Sequence, residues 1–207
     1  AQSAQLDGDE GAAERYFTSM LANPELEFLG LRGLLSQSLR RGDNDAALEF
    51  ARRAYALKPR AEWAQTTLFE LQMAGGQWKR AEALLHDMGR KSSLSPGQVD
   101  KRRAILLYEQ ALSAKSAGDG RKAQRLAVKA HEAAPGFVPG AVLAAQGLAA
   151  AGKQRKASAI LHAAWNVAPH PDLVEAFRAL WPGEDAEKRL ERFTQMVGDG
   201  AANPQDP

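Results

Sequence analysis

The sequence predicts an all-α fold, a right-handed superhelix of antiparallel helix pairs. Three observations predict it. One spacing recurs every 34 residues, glycine and proline hold fixed places within it, and 40 of the 207 residues are alanine. Alanine has the best helix propensity, and a fixed internal period is the mark of stacked structural repeats.

The register is shared by four segments. Residues 28–61 carry Leu31, Leu34, Leu35, Ser38, Gly42, Ala47, Ala51, Ala54 and Pro59. Residues 62–95 place Gln65, Leu68, Phe69, Gln72, Gly76, Ala81, Leu85, Met88 and Ser93 at the same positions. After eight further residues, 104–137 give Leu107, Gln110, Ala111, Ala114, Gly118, Ala123, Ala127, Ala130 and Pro135. Residues 138–171 give Ala141, Ala144, Ala145, Leu148, Gly152, Ala157, Leu161, Ala164 and Pro169. The first members have helical spacing and form one stripe of a first helix. The glycine ends that helix, because a left-handed residue costs glycine nothing. Asp43 and Asp119 follow as N-caps of the second helix. Its alanines set a short interaxial distance, and the proline stops it. This is the tetratricopeptide-repeat pattern.

The ends extend the array. Residues 1–27 read as a partial repeat holding only a second helix, with Gly8, Ala13, Phe17, Met20 and Pro24 in register, which predicts more protein before Ala1. Residues 172–197 read as a capping helix pair whose charged second helix (Glu187, Lys188, Arg189, Glu191, Arg192) faces solvent. Residues 198–207, rich in Gly, Ala, Asn and Pro, read as a disordered tail. The eight-residue excess begins at Ser95-Pro96, an N-cap followed by proline at the first helical position. It predicts an extended helix near 96–117, roughly 33 Å long at 1.5 Å per residue. Its overhanging start carries Lys101, Arg102 and Arg103 and reads either as a solvated helix end or as a docking spur.

Stacked pairs present an extended concave face lined by first-helix residues opposite the packing stripe. Those positions hold Leu29, Arg32, Ser36, Leu39 and Arg40, then Trp63, Thr66, Glu70, Met73 and Ala74. In the second half they hold Ile105, Tyr108, Leu112, Lys115 and Ser116, then Pro139, Val142, Gln146, Ala149 and Ala150. The partner-binding candidates are Arg32, Ser36, Arg40, Trp63, Thr66, Glu70, Tyr108, Lys115 and Gln146. Arginine and large aromatics dominate interface hot spots. Trp63 and Tyr108 read equally well as packing between adjacent repeats.

Chemistry is sparse. A chain without cysteine has no disulfide, thiolate metal site or cysteine nucleophile. A formal net charge of +2 gives no general argument for nucleic acid, and no apolar run has the length of a membrane span. The histidines His86, His131, His162 and His170 lack the helical spacing of a metal site. His162 and His170 flank one helix end. Gly118-Asp119-Gly120 falls at an inter-helix turn with no preceding strand, so it is not a phosphate loop. No nucleophile elbow or catalytic triad pattern is present. The reading is a non-enzyme with no required cofactor.

Several strings are more specific than the repeat. Glu27-Phe28-Leu29-Gly30-Leu31-Arg32-Gly33-Leu34-Leu35 resembles the opening of the soluble repeats of the bacterial HemY proteins. Similar stretches are Leu68-Phe69-Glu70-Leu71-Gln72, Arg102-Arg103-Ala104 to Gln110-Ala111-Leu112, Ala134-Pro135-Gly136-Phe137-Val138-Pro139, and Ala163-Ala164-Trp165 with Pro169-His170-Pro171-Asp172-Leu173. The likeness runs from about Gly8 to Met196. These are the tetratricopeptide proteins of haem operons, unrelated to the flavin oxidase that shares the name. The resemblance implies an inner-membrane protein whose N-terminal anchor is absent here; the expected side for the repeat domain is the cytoplasmic face. It implies a scaffold for late haem-synthesis enzymes such as ferrochelatase, with no catalytic residues. Two alternatives stay open. One is direct haem or porphyrin binding through His86, His131, His162, His170 or Tyr108 as axial ligand, which a Soret shift on titration would mark. The other is a general envelope-assembly repeat protein.

Overall fold

A computed structural model of the chain describes residues 9–91 and 94–197. Every described element is helical. The chain divides into two compact units, Ala1–Val99 and Asp100–Pro207. Gly8 and residues 198–207, read above as a register glycine and as a disordered tail, lie outside the described residues.

The first unit contains α1 (Glu10–Met20), α2 (Glu27–Arg41), α3 (Asn44–Leu57), α4 (Glu62–Ala74) and α5 (Trp78–Lys91). Helix α6 (Pro96–Ser116) begins at its end. The second unit holds the rest of α6, then α7 (Gly120–Ala133), α8 (Val138–Ala150), α9 (Gln154–Val167), α10 (Pro171–Arg178) and α11 (Ala186–Val197). Helices α2 and α3, α4 and α5, α6 and α7, and α8 and α9 follow one another as consecutive pairs, with α1 before them and α10 and α11 after.

Each boundary follows from local chemistry. Gly42, Gly76, Gly118 and Gly152 adopt φ of 73°, 65°, 79° and 72°, a region that an L side chain avoids. Each closes a first helix and lets the second turn back against it. Asp43 accepts a hydrogen bond from the Ala46 N–H at 3.0 Å, and Asp119 one from the Lys122 N–H at 2.9 Å. Both are N-caps satisfying donors that a helix start leaves open. Lys58, Ala134 and Ala168 take extended φ of −134°, −146° and −148°, the conformation that a following proline imposes. Helix α6 starts on a reciprocal cap: Ser95 N–H donates to Gln98 Oε1 at 2.8 Å, and Gln98 N–H donates to Ser95 Oγ at 3.3 Å.

The buried side chains gather into clusters within each unit. In the first unit Ala13, Phe17 and Leu34 form one buried cluster, and Leu31, Ala54 and Ala64 another. In the second unit Ala111, Ala127, Leu143 and Ala144 form one cluster. A larger one runs from Ala141 through Leu161 and Phe177 to Met196. The stripe of α6 differs in detail: Ala104, Leu106, Ala111 and Ala114 are buried, while Leu107 and Gln110 are only half covered. Ala127 is fully buried among alanines of two neighbouring helices. Ala127→Leu is expected to overpack that contact and cost about 1–3 kcal/mol. Chemical denaturation checks this, and an unchanged midpoint would contradict the close approach.

Candidate functional site

The predicted groove positions divide between the two units. All are left unburied, whereas the packing stripe on the same helices is largely covered. In the first unit α2 and α4 carry Arg32, Ser36, Arg40, Trp63, Thr66 and Glu70. Trp63 lies in the first turn of α4 beside the start of α2. Its ring centre is 5.0 Å from that of Phe28, and the Arg32 guanidinium sits 5.6 Å from the Trp63 ring. Phe28 and Arg32 are one helical turn apart, so both reach the same neighbour. The Lys58 ammonium, at the end of α3, stands 4.6 Å from the Phe28 ring. The result is a layered stack, Lys58–Phe28–Trp63–Arg32. Each cation–aromatic contact is worth about 0.5–1 kcal/mol at a solvated site. Leu29, 54% exposed, extends the apolar part of this surface.

Sequence reasoning singled out Trp63 and Arg32 but not Phe28 or Lys58. Their signal was an aromatic at the head of one first helix and a cation before the proline leading to the next. Arg40 takes another role: its Nη1 donates to Ser36 Oγ at 3.2 Å, and its Nε lies 3.7 Å from Glu10 on α1. Glu70 is exposed and Thr66 half-buried.

In the second unit Tyr108 meets Phe137 edge-to-face at 5.4 Å and is half-buried. Lys115 and Gln146 line a cavity of about 190 Å³ floored by Leu143. Among the described residues no group of three or more His, Cys, Asp or Glu side chains is placed to hold a metal ion. No described helix is long and apolar enough to cross a membrane.

The histidines sit in four different settings. His86 is exposed. His170 begins α10, its Nδ1 accepting from the Asp172 N–H at 3.2 Å. His162 packs edge-on to Phe177 at 5.4 Å, and His131 is 8% exposed. Burial pushes the imidazoles of His131 and His162 below their ordinary value of 6.5; at His131 the Glu132 carboxylate pulls weakly the other way. The unfolded chain therefore binds these protons more readily than the folded one. The stabilisation is complete above about pH 6.5 and drains away as pH falls through that value toward the folded-state values. A melting temperature that declines as pH drops from about 6.5 is expected, with a shallower decline in the His131→Gln, His162→Gln double variant. Parallel pH profiles for the two proteins would contradict it.

Antiparallel helix pairs, each with a glycine-closed first helix and an alanine-lined second one, define a fold of the tetratricopeptide-repeat class. Comparison with known proteins agrees: the tetratricopeptide-repeat family model matches residues 38–92. Over 136 residues the chain is 28% identical to the "Probable magnetosome protein Mms48" of Magnetospirillum gryphiswaldense, a match covering 66% of this chain and 30% of that protein. Among solved structures, the crystal structure of MamA superposes with a TM-score of 0.50 at 17% identity, covering 93% of this chain and 95% of that one. That likeness is one of fold.

Proposed function

We propose that the chain is a non-catalytic scaffold that binds other proteins through its first-helix surfaces. The observation that carries this is the Lys58–Phe28–Trp63–Arg32 stack, built on α2 and α4 with Lys58 from the end of α3, and flanked by exposed Leu29. Exposed Lys58, Arg32 and Leu29 surround the half-buried rings of Phe28 and Trp63, which also pack against the Leu31–Ala54–Ala64 cluster; that mix is the composition that interface hot spots favour. Tetratricopeptide repeats are interaction modules, and their stacked pairs present such surfaces for extended or helical segments. The finer reading is a scaffold for late haem-synthesis enzymes, ferrochelatase among them, at the bacterial inner membrane. It is supported by the HemY-like strings at Glu27–Leu35 and Ala134–Pro139.

The test is crosslinking and pull-down from bacterial membranes with the wild-type chain and with Arg32→Glu, Trp63→Ala. Arg32 is the cleaner choice than Arg40, whose reversal would also disturb Glu10 and Ser36. The double variant is expected to lose partner capture by about tenfold or more, as loss of a hot-spot pair does. Undiminished capture would refute the first-helix surface. Recovery of ferrochelatase or a neighbouring enzyme supports the haem reading, and recovery of cell-wall or lipid-assembly proteins instead would refute it.

A further inference from the structure

A second surface lies in the second unit, on the row of second helices and apart from the stack described above. Charge is concentrated there. From Gly120 to Ala168 the sequence holds seven Lys or Arg residues and a single carboxylate, Glu132, a net of +6 in a chain whose formal net charge is +2. Among the described residues none of these seven cations forms an ion pair. Such a surplus within one helix pair and its neighbour is self-repelling. Nothing in the folding of α7 or α9 uses it, since both bury only alanine, leucine and, in α7, His131.

The cations border a groove. Helices α7 and α9 run in the same direction, because the antiparallel α8 lies between them. They flank an open groove of about 530 Å³. Its rims carry Arg125 and Lys129, with the single carboxylate Glu132, on one side and Lys153 and Lys156 on the other, so cations outnumber the carboxylate four to one. Its floor is apolar, made by Val128, Leu148 and Ile160. Leu148 is 5% exposed, and Val128 and Ile160 are half-buried, whereas all four rim cations are exposed. The groove continues past Lys153 and Lys156 into an adjoining cavity of about 500 Å³ that ends on Trp181. The N-cap of helix α9 is Lys153, which offers no side-chain acceptor to its first turn. By contrast, Asp43 and Asp119 cap α3 and α7.

We infer that the α7–α9 groove binds an acidic amphipathic segment of a partner protein, its apolar side on Val128, Leu148 and Ile160 and its carboxylates against Arg125, Lys129, Lys153 and Lys156. The shape selects this occupant. A headgroup plane or a nucleic-acid backbone would meet the protruding cations and leave the recessed floor in water. Membrane-surface binding buries apolar side chains that stand above the cations, the reverse of this arrangement. A helix or extended segment with one apolar side reaches the floor and the rims together. The inference is independent of the first-helix surface, because no residue of that stack takes part.

The test uses the full chain and a fluorescein-labelled amphipathic peptide of Glu and Leu, with leucine at helical spacing. Its comparators are a Glu/Gln peptide of equal charge, phosphatidylserine-containing vesicles and duplex DNA. Lys129→Glu with Lys156→Glu is expected to weaken Glu/Leu peptide binding by about tenfold or more, as reversal of closely opposed charges does. Ile160→Gln is expected to weaken it several-fold. Arg60→Glu, a single charge reversal on an exposed residue of the other unit, is expected to leave it unchanged. All variants sit on exposed or half-buried positions, and retained helical circular dichroism confirms folding. Any of four results would overturn the inference: no binding of the Glu/Leu peptide, equal binding of the Glu/Gln peptide, an equal loss in Arg60→Glu, or vesicles or DNA binding more tightly than the peptide through the same rim cations.

Discussion

Phe177→Ala is expected to cost about 3–5 kcal/mol, the range for emptying a fully packed aromatic site. Phe177 is 3% exposed and joins three rings that come from two helices and a turn. His162 on α9 lies 5.4 Å away, Trp181 after α10 also 5.4 Å, and Phe193 on α11 5.7 Å. Such aromatic contacts add about 0.5–1.5 kcal/mol each beyond the area they bury. Helix α10 has only 8 residues, too few to persist without tertiary packing. Phe177 and Leu173 supply its buried side. The truncation should therefore loosen α10 and α11 before the rest of the second unit. Two measurements check it. Urea denaturation should show the loss in free energy. Nuclear magnetic resonance titration should show the His162 imidazole rising toward 6.5, because its burial is what holds it down. A cost under about 1 kcal/mol, typical of a surface position, would contradict the hub.

The parts of the fold legible in the sequence are those decided by single-residue chemistry. Gly42, Gly76, Gly118 and Gly152 could be read as helix ends because only glycine lacks the side chain that a left-handed turn excludes. Asp43 and Asp119 could be read as caps because the donors they satisfy lie in the next turn of their own chain. Alanines at Ala47, Ala51, Ala54, Ala127, Ala130 and Ala164 announced close helix pairs. What stayed hidden needs the offset between neighbouring elements. A 34-residue register says that Phe28 and Trp63 lie on adjacent first helices; it does not say that their rings touch. The cations of α7 and α9 were each visible, but they become a groove only once α8 sets the two helices side by side over a shared floor. The string around Gly30 and Gly33 carried a family likeness with no physical reading, because an absent side chain does not disclose what occupies its place.

The structure supplies that reading, and it leads to the second large effect. Gly30 and Gly33 lie one turn apart on α2, on the face that receives α1. A Cβ on Gly30 would stand 2.7 Å from the Phe17 carbonyl oxygen and 3.0 Å from Met20 Cβ. A Cβ on Gly33 would overlap the Phe17 ring atoms Cδ1, Cε1 and Cγ. Two opposing terms decide the sign. Alanine in a helix interior is favoured over glycine by about 1 kcal/mol. Against it stands an overlap with backbone, which no rotamer change relieves, and with a ring that is itself only 5% exposed. Overpacking of this kind costs about 1–3 kcal/mol per site and exceeds the propensity gain. The loss has a ceiling, since α1 can detach from α2 and end the clash. That step gives up the burial of Ala13 and Phe17, and a buried Phe side chain alone contributes about 1.5–3 kcal/mol. The Gly30→Ala, Gly33→Ala double variant is thus expected to lose about 3 kcal/mol, with amide hydrogens of α1 exchanging far faster than those of α2. Gly97→Ala is the matched control: it lies in the first turn of α6 with nothing within 4 Å of the added carbon, so propensity acts alone and the chain should gain about 0.5–1 kcal/mol. If the double variant is stabilised as Gly97→Ala is, α1 does not pack on α2 through these two glycines.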